Sequence, residues 1–247
     1  MRLLSYSARK KLIIDLFIGV FCIVTISYII VALMNSKTFQ LFGAIVPRVA
    51  TESKVVALTF DDSPDPGATE ELLSILERTD TKATFFLIGK QMNKHPEQTE
   101  KIITAGHELG NHTYTHYSLT FQSPDLIKRE IELADKTIRA FGYNKPTHFR
   151  PPYGNKLLLL PLYLHMTDRN TIMWNIAPDD HPTIASNAEY MADHVEEEIS
   201  PGSIIVMHPM YKHRKESLKA VEPIINRLKA KGYTFVTVSE LLTYQKQ

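Results

Sequence analysis

Apolar and polar positions alternate along most of this chain in segments of two kinds. Short, nearly continuous apolar runs are typical of buried strands, and longer segments with an apolar residue every three or four positions are typical of amphipathic helices. The short runs lie at 55–60, 83–88, 147–150, 171–176, 203–207 and 234–238. The longer segments lie at 68–78, 96–105, 124–141, 188–199 and 215–231. This alternation predicts an α/β domain around a parallel sheet that closes into a barrel.

The N-terminal segment follows a different pattern. Residues 16–34 carry no charged side chain, and a helix of that length spans about 28 Å, close to the apolar thickness of a bilayer. Basic residues precede this run at positions 2, 9, 10 and 11, whereas only Lys37 and Arg48 follow it before Glu52. This asymmetry predicts a single-pass signal anchor in the cell membrane. Its parts are a cytoplasmic N-terminus (1–15), a transmembrane helix (16–34), a linker (35–53) and an extracytoplasmic domain (54–247).

Three alternatives remain for the apolar segment. A cleaved signal peptide is the strongest, but no clean Ala-x-Ala site ends the run. A lipoprotein modified at Cys22 is weaker, because Gly19-Val20-Phe21 is a poor recognition sequence. A buried core helix is disfavoured by its place at the end of the chain, ahead of a complete domain.

Composition and charge exclude some functions. The hydrophobic fraction of 44% is ample for one core, and the net charge of +1 gives no overall electrostatic case for binding nucleic acid. Residues 212–215 form the one short basic cluster and are expected to be a solvated helix start. The single cysteine, Cys22, excludes an intramolecular disulfide and leaves the redox compartment open.

Two segments carry candidate metal chemistry. Asp61 and Asp62 end the apolar run at 55–60, and His112 and His116 follow the segment Gly106-His107-Glu108-Leu109-Gly110-Asn111. Two neutral imidazoles and one carboxylate make a three-ligand site for a zinc-like ion, with a position left for water. A second carboxylate beside them can take the proton that this water loses. Alone, an Asp-Asp pair indicates a turn and a lone histidine pair a solvated helix face, so the argument depends on their combination.

Two further segments complete the candidate site. Arg150-Pro151-Pro152-Tyr153-Gly154 is a rigid loop in which the first free backbone N–H after two prolines belongs to Tyr153. Such an aimed N–H suits an oxyanion, and Arg150 can hold a carboxylate at two points. His208 ends the apolar run at 203–207 and can supply the proton that an amine needs to leave.

These segments, in this order, resemble the polysaccharide deacetylase family, also called the NodB-homology domain or carbohydrate esterase family four. The resemblance covers about residues 54–242. The motif T-F-D-D-G-P appears at 59–64 with Ser63 in place of glycine, and the two-histidine motif, R-x-P-Y and the apolar strand ending in histidine are all present.

The resemblance implies a fold, roles and a reaction. The fold is a distorted (β/α) barrel of about seven strands. Asp61 is the catalytic base, and His208 is the catalytic acid. Arg150 holds Asp61, and the Tyr153 amide faces the oxyanion. The metal ligands are Asp62, His112 and His116.

The fourth motif of the family, D-x-x-D-W, is altered in this chain. Alignment on Trp174 places Ala177 at the first Asp, Asp180 at the second and His181 at the Trp. Asp180 is expected to tune the acid histidine, with Asp179 as a nearby substitute, and His181 is a poor apolar wall for an acetyl pocket. Trp174 itself is expected to serve the core more than the substrate groove.

The expected reaction is removal of N-acetyl groups from an envelope or exported glycan, peptidoglycan first and poly-N-acetylglucosamine second. The expected cofactor is one divalent ion, Zn²⁺ by default, with Co²⁺, Ni²⁺ or Mn²⁺ able to use the same ligands. The expected partners are an acetylated polysaccharide and the membrane, with no nucleic acid. An O-acetyl esterase and a catalytically silent glycan-binding module remain as alternatives, and an amidohydrolase acting on small cyclic amides fits an exported domain poorly.

Overall fold

The structure, a computed structural model, describes residues 6–62, 64–211 and 213–245. Arg2, Ser63 and Lys212, named above, lie outside the described residues. The described residues form seven strands and nine α-helices. The strands are β1 (Ile45–Val46), β2 (Val55–Asp62), β3 (Thr84–Leu87), β4 (Glu108–Asn111), β5 (Thr171–Ile172), β6 (Ile204–Met207) and β7 (Thr234–Phe235). The α-helices are α1 (Tyr6–Asn35), α2 (Pro66–Arg78), α3 (Gly89–Lys94), α4 (Pro96–Thr104), α5 (Pro124–Ala140), α6 (Leu159–Met166), α7 (Ala188–Glu198), α8 (Lys215–Ala230) and α9 (Val238–Leu242).

The strands form a closed, irregular ring. β4, β3, β2 and β6 are hydrogen-bonded in that order, β7 joins β2, and β1 pairs with β5, all in parallel. Phe149 bridges Asn111 of β4 to Thr171 of β5, and Ile176 bridges Ile205 of β6. These single bridges close the ring where regular ladders are missing, which is the distorted barrel that the sequence predicts.

Strand β2 separates two apolar layers. Its residues Val56, Leu58 and Phe60 pack against the outer helices, whereas Val55 and Ala57 face the cluster inside the barrel. Because successive side chains of a strand point to opposite faces, Thr59 and Asp61 continue the inward row. The period of two along this strand therefore delivers a carboxylate to the barrel interior at its C-terminal end.

Several elements differ from the sequence prediction. The segment 147–150 contributes only the bridges of Phe149, and 234–238 forms a strand only at Thr234–Phe235. β4 was not predicted, because two of its four residues are polar, and α3, α6 and α9 were not predicted either. α6 is apolar at almost every position, with His165 as its one basic residue, so it lacks the helical period that identifies an amphipathic helix.

The linker expected at 35–53 is partly a domain element. Ile45–Val46 forms β1, Arg48 bridges Ser203, and Val49 is buried. The domain therefore begins near residue 45, and the strand was missed because it is only two residues long.

Gly202 marks a close approach between this segment and the barrel. Its φ is +80°, and a Cβ there would lie 1.9 Å from the Val49 carbonyl oxygen. Gly142 has the same φ of +80° but nothing within 4 Å of the Cβ position. The two glycines separate the cost of the backbone conformation from the cost of the clash.

We expect Gly202→Ala to destabilise the chain more than Gly142→Ala. The left-handed conformation costs each alanine about 1–2 kcal/mol, and the clash adds about 1–3 kcal/mol at Gly202 alone. The measurement is the thermal unfolding midpoint of the detergent-solubilised chain. Equal midpoints for the two variants would contradict the close approach of Val49.

Candidate active site

Three potential metal ligands converge at the C-terminal ends of β2 and β4. Asp62 Oδ1 lies 3.1 Å from His116 Nε2 and 3.6 Å from His112 Nε2. Asp62 and His116 have positive φ values of 84° and 63°. Non-glycine residues adopt such values at a cost, and they concentrate at functional sites. The backbone therefore turns these side chains toward one point, as the sequence predicts.

The protonation of His112 suits a metal ligand. Its Nδ1 lies 2.8 Å from the Arg150 carbonyl oxygen, so Nδ1 carries the hydrogen and the Nε2 lone pair faces Asp62. Burial lowers the pKa of His112 and outweighs the opposing charges of Asp61 and Asp62. The imidazole is therefore neutral at pH 7, the form that binds metal ions.

The donor set fits a divalent cation. Asp62 Oδ1 is buried and accepts no well-formed hydrogen bond from the described residues, despite the nearby imidazoles. A buried carboxylate oxygen without a donor is costly unless a cation or another charged group satisfies it. Asp62, His112 and His116 are two nitrogen donors and one oxygen donor within 4.8 Å of one another, the set found in three-ligand zinc sites.

A buried ion pair lies beside these ligands. Arg150 Nη1 is 2.6 Å from Asp61 Oδ1, and Arg150 is fully buried. The guanidinium also donates to Thr59 Oγ1 and to the carbonyl oxygens of Ile172 and Met173, at 2.8, 3.3 and 3.1 Å. The second carboxylate oxygen, Asp61 Oδ2, faces His112 Nε2 at 4.0 Å. Arg150 therefore fixes Asp61 and leaves one of its oxygens toward the ligand cluster.

The loop after Arg150 adopts a strained turn. Pro152–Gly154 forms a 3₁₀ turn in which Tyr153 has φ 59°. The Tyr153 ring packs on His116 with centroids 4.7 Å apart. This conformation places Tyr153 on the wall of the cleft that contains the ligand cluster.

His208 is hydrogen-bonded to Asp179, and Asp180 is a more distant charge partner. Its Nδ1 is 3.1 Å from Asp179 Oδ1, and its backbone N–H donates to Asp179 Oδ2 at 2.7 Å. Ser217 Oγ also donates to Asp179 Oδ2. Asp180 Oδ1 is 3.9 Å from His208 Nδ1, and its side chain is 38% exposed. This revises the expectation for Asp180, because the 3₁₀ turn Pro178–Asp180 directs the first carboxylate inward and the second toward solvent.

The pairing controls the charge of His208. Burial lowers its pKa, but the hydrogen bond and charge of Asp179, with smaller contributions from Asp61 and Asp62, raise it to about 9. Because the pKa of His208 is raised above the ordinary histidine value of 6.5, the pair stabilises the fold below pH 6.5, and this contribution is lost as the pH rises through 9. His208 is therefore protonated at neutral pH and able to give a proton.

Two cleft residues were not assigned to the site from the sequence. Trp174 is 7% exposed, so it belongs to the core as expected, yet it also lines the cleft. Tyr211 lines the cleft three residues after His208, and burial together with Asp62 raises the pKa of its phenol. The spacing after the histidine strand was the available signal for Tyr211. His181, aligned with the tryptophan of the fourth motif, is exposed and makes an edge-to-face contact with His194 instead.

A closed α/β barrel with a His-His-Asp cluster, a second buried carboxylate and a protonated histidine at one end defines a metal-dependent hydrolase. A sequence profile described as polysaccharide deacetylase matches residues 48–161. A peptidoglycan-N-acetylglucosamine deacetylase of Bacillus cereus is 31% identical over 209 residues, which cover 85% of this chain and 98% of that protein. The chain therefore belongs to the polysaccharide deacetylase family, and the resemblance of its motifs is confirmed.

Two further comparisons agree. The peptidoglycan-N-acetylmuramic acid deacetylase PdaC of Bacillus subtilis is 33% identical over 199 residues, covering 81% of this chain but 41% of that longer protein. The crystal structure of the Bc1960 peptidoglycan N-acetylglucosamine deacetylase, bound to a hydroxamate-type benzamide, superposes with a TM-score of 0.75 at 30% identity. That match covers 81% of this chain and 94% of the other. The similarity supports the same barrel fold over nearly the whole domain.

We expect Asp179→Asn to lower the pKa of His208, because burial then acts without the opposing charge. The measurement is a pH titration of histidine Cε1–H signals in the metal-free chain, with His208 assigned by its loss in His208→Ala. Asp180→Asn is the matched control and should leave the pKa close to its original value. A larger shift in Asp180→Asn would reverse the assignment of the partner.

Proposed function

We propose that this chain is a membrane-anchored, metal-dependent deacetylase that removes N-acetyl groups from an envelope glycan, with peptidoglycan as the first candidate. The observation that carries the proposal is the convergence of Asp62, His112 and His116 beside the Arg150-held carboxylate of Asp61. The named activities of the Bacillus relatives support peptidoglycan, although one acts on N-acetylglucosamine and the other on N-acetylmuramic acid.

Asp62, His112 and His116 would hold the cation, with Zn²⁺ as the default for two imidazoles and one carboxylate. Co²⁺, Ni²⁺ and Mn²⁺ can use the same donors. When bound, such an ion polarises the amide carbonyl and acidifies the attacking water. The contact of His112 Nδ1 with the Arg150 carbonyl oxygen orients the first ligand ring. The packing of the His116 ring on Tyr153 orients the second.

Asp61 acts as the general base. Its Oδ1 is held by Arg150, and its Oδ2 remains directed toward the ligand cluster. Oδ2 accepts a proton from the water as the water oxygen adds to the acetyl carbon. Arg150 fixes the carboxylate, so that no rotation is needed before the proton moves.

The Tyr153 N–H and His208 complete the reaction. The Tyr153 amide donates to the oxyanion of the tetrahedral intermediate. His208, kept protonated by Asp179, gives a proton to the nitrogen as the C–N bond breaks, and the products are acetate and the free amine. Asp179, held by Ser217 and the His208 backbone, is the positioning residue for this step.

The membrane assignment is supported by α1. Its Lys10–Asn35 portion is 26 residues long, has a mean hydropathy of 2.7 in its most apolar window, and buries none of that window in the protein. A helix this apolar and unpacked is unstable in water and needs a lipid environment. With the basic residues on its N-terminal side, the domain lies outside the cytoplasm.

We expect Asp61→Asn and His208→Ala each to lower acetate release from N-acetylated chito-oligosaccharides by at least about 100-fold, the usual contribution of a general acid or base. The metal content of both variants, measured by elemental analysis, should stay near that of the native chain. Loss of the metal in both would contradict these roles. The alcohol of an acetyl ester leaves without prior protonation more readily than the amine of an acetamide does, so His208→Ala should lower the hydrolysis of an acetyl ester less than that of an acetamide. Equal impairment, with the ester as the better native substrate, would favour the O-acetyl esterase.

We expect His116→Ala to lower metal occupancy, because it removes one of three donors. The matched control is His165→Ala, an exposed histidine on α6. Both variants are loaded with Zn²⁺, dialysed and analysed for metal. Native occupancy in His116→Ala would remove this residue from the ligand set, and a native chain that binds metal but releases no acetate would favour a silent glycan-binding module.

A further inference from the structure

The C-terminal end of α1 is fastened to the catalytic loop. The Lys156 backbone N–H donates to the Met34 carbonyl oxygen at 3.1 Å, and Lys156 Nζ donates to the Ser36 carbonyl oxygen. Lys156 is 1% exposed, and burial lowers its pKa to about 8. The last carbonyls of a helix have no partner within the helix, and a lysine is a favourable cap for them. Lys156 follows Tyr153 by three residues, so this cap joins the anchor to the oxyanion loop.

A second lysine joins the anchor to the cleft wall. Lys37 Nζ lies 4.6 Å from the centroid of the Trp174 ring, a cation–π distance. Burial lowers the pKa of Lys37, and the nearby charge of Asp180 opposes this. Trp174 and Asp180 both line the cleft that contains the ligand cluster. The chain leaving the apolar helix therefore passes directly over the cleft wall.

Exposed apolar side chains surround this junction. They come from the chain after α1 and from the two ends of α6. The segments adjoin, because the Cβ position of Gly43 is 3.2 Å from His165 Cβ. The residues, here named the junction patch, are Phe39, Leu41, Phe42, Leu158 and Met166, with exposed fractions of 50, 44, 36, 46 and 76%. A cluster of large apolar side chains in solvent marks an interaction surface.

We propose that the junction patch lies on the bilayer surface, so that the cleft opens close to the membrane and the enzyme deacetylates the membrane-proximal part of its glycan. The bilayer is the occupant because the patch continues directly from the apolar helix. The proposal rests on the anchor of the proposed function. A peripheral surface of this kind inserts apolar side chains at the depth of the headgroups.

The chain length limits how far the cleft can lie from the membrane. Lys37 follows Asn35, the end of α1, by two positions, which span at most about 7 Å. The Lys37 side chain then reaches the Trp174 ring. The cleft wall thus lies within about two residues and one side chain of the end of the apolar helix.

The experiment uses Trp174, the single tryptophan of the chain, as donor. The full chain is reconstituted in phosphatidylcholine–phosphatidylglycerol vesicles that contain dansyl-labelled phosphatidylethanolamine, and energy transfer from Trp174 to the labelled headgroups is measured. The test variant carries eight Gly/Ser residues inserted between Asn35 and Ser36 together with Phe39→Ser and Met166→Ser. The insertion lengthens the connection between α1 and the domain, and the substitutions remove the two most exposed patch side chains.

We expect efficient transfer in the native chain and a loss of at least half of it in the test variant. The matched control has the same insertion with Leu133→Ser and Tyr190→Ser, two exposed apolar residues outside the patch, and should keep the native transfer. Equal transfer in the native chain and the test variant, whether high or low, would overturn the proposal. Loss of transfer in the control as well would show that the tether alone holds the domain and would also overturn docking by the patch.

Acetate release from a soluble chito-oligosaccharide separates this result from the proposed function. All three chains should release acetate at similar rates, which also shows that the variants are folded. Transfer as expected without acetate release from any chain would reject the deacetylase and leave the docking intact. Normal acetate release with unchanged transfer would reject only the docking.

Discussion

The buried pair of Arg150 and Asp61 is the interaction on which the site depends. A guanidinium without exposed surface is tolerable only because Asp61, Thr59 and two carbonyl oxygens at the end of β5 satisfy it. Its flat face packs on the Phe86 ring, with the guanidinium carbon 4.1 Å from the ring centroid. Losing one partner of such a pair leaves an uncompensated buried charge, at a cost of about 3–5 kcal/mol. The same contacts connect β2, the proline loop and the end of β5. The pair therefore fixes the geometry of three separate segments at once.

The alternation of β2 explains why the two adjacent carboxylates, Asp61 and Asp62, contact different partners. Asp61 continues the inward row of Val55, Ala57 and Thr59 and so reaches Arg150 inside the barrel. Asp62 ends the strand with φ 84°, which turns its carboxylate away from that row and toward the two histidines. Thr59 of β2 pairs with Val206 of β6, so two residues further along each segment His208 lies at about the level of Asp61. Register and one left-handed residue are sufficient to bring the proposed base, the proposed metal ligand and the proposed acid to the same end of the barrel.

The sequence could predict the parts of this arrangement that depend on local pattern. The apolar runs identified β2 and β6, and the residue types that follow them identified the chemistry. β4 escaped prediction because its buried Glu108 is satisfied by Thr84 and Ser239, which are remote in sequence. The sequence also could not predict whether Asp179 or Asp180 contacts His208, because a 3₁₀ turn decides which of the two carboxylates points inward. Contacts that join distant segments, including the cap of α1 by Lys156, leave no periodic trace in the sequence.

The altered fourth motif shows how the same chemical requirements can be met from other positions. The resemblance implies a carboxylate that tunes the acid histidine and an aromatic wall for the acetyl group, and the expected positions hold Ala177, Asp180 and His181. In the structure Asp179 makes both contacts with His208, and Trp174 lines the cleft, where a Cβ on Gly154 would lie 3.0 Å from its ring. The missing side chain of Gly154 therefore leaves room for the indole beside the loop that carries Tyr153. The altered spacing of the motif therefore changes which positions supply these groups, while a carboxylate at His208 and an aromatic ring at the cleft wall are both present.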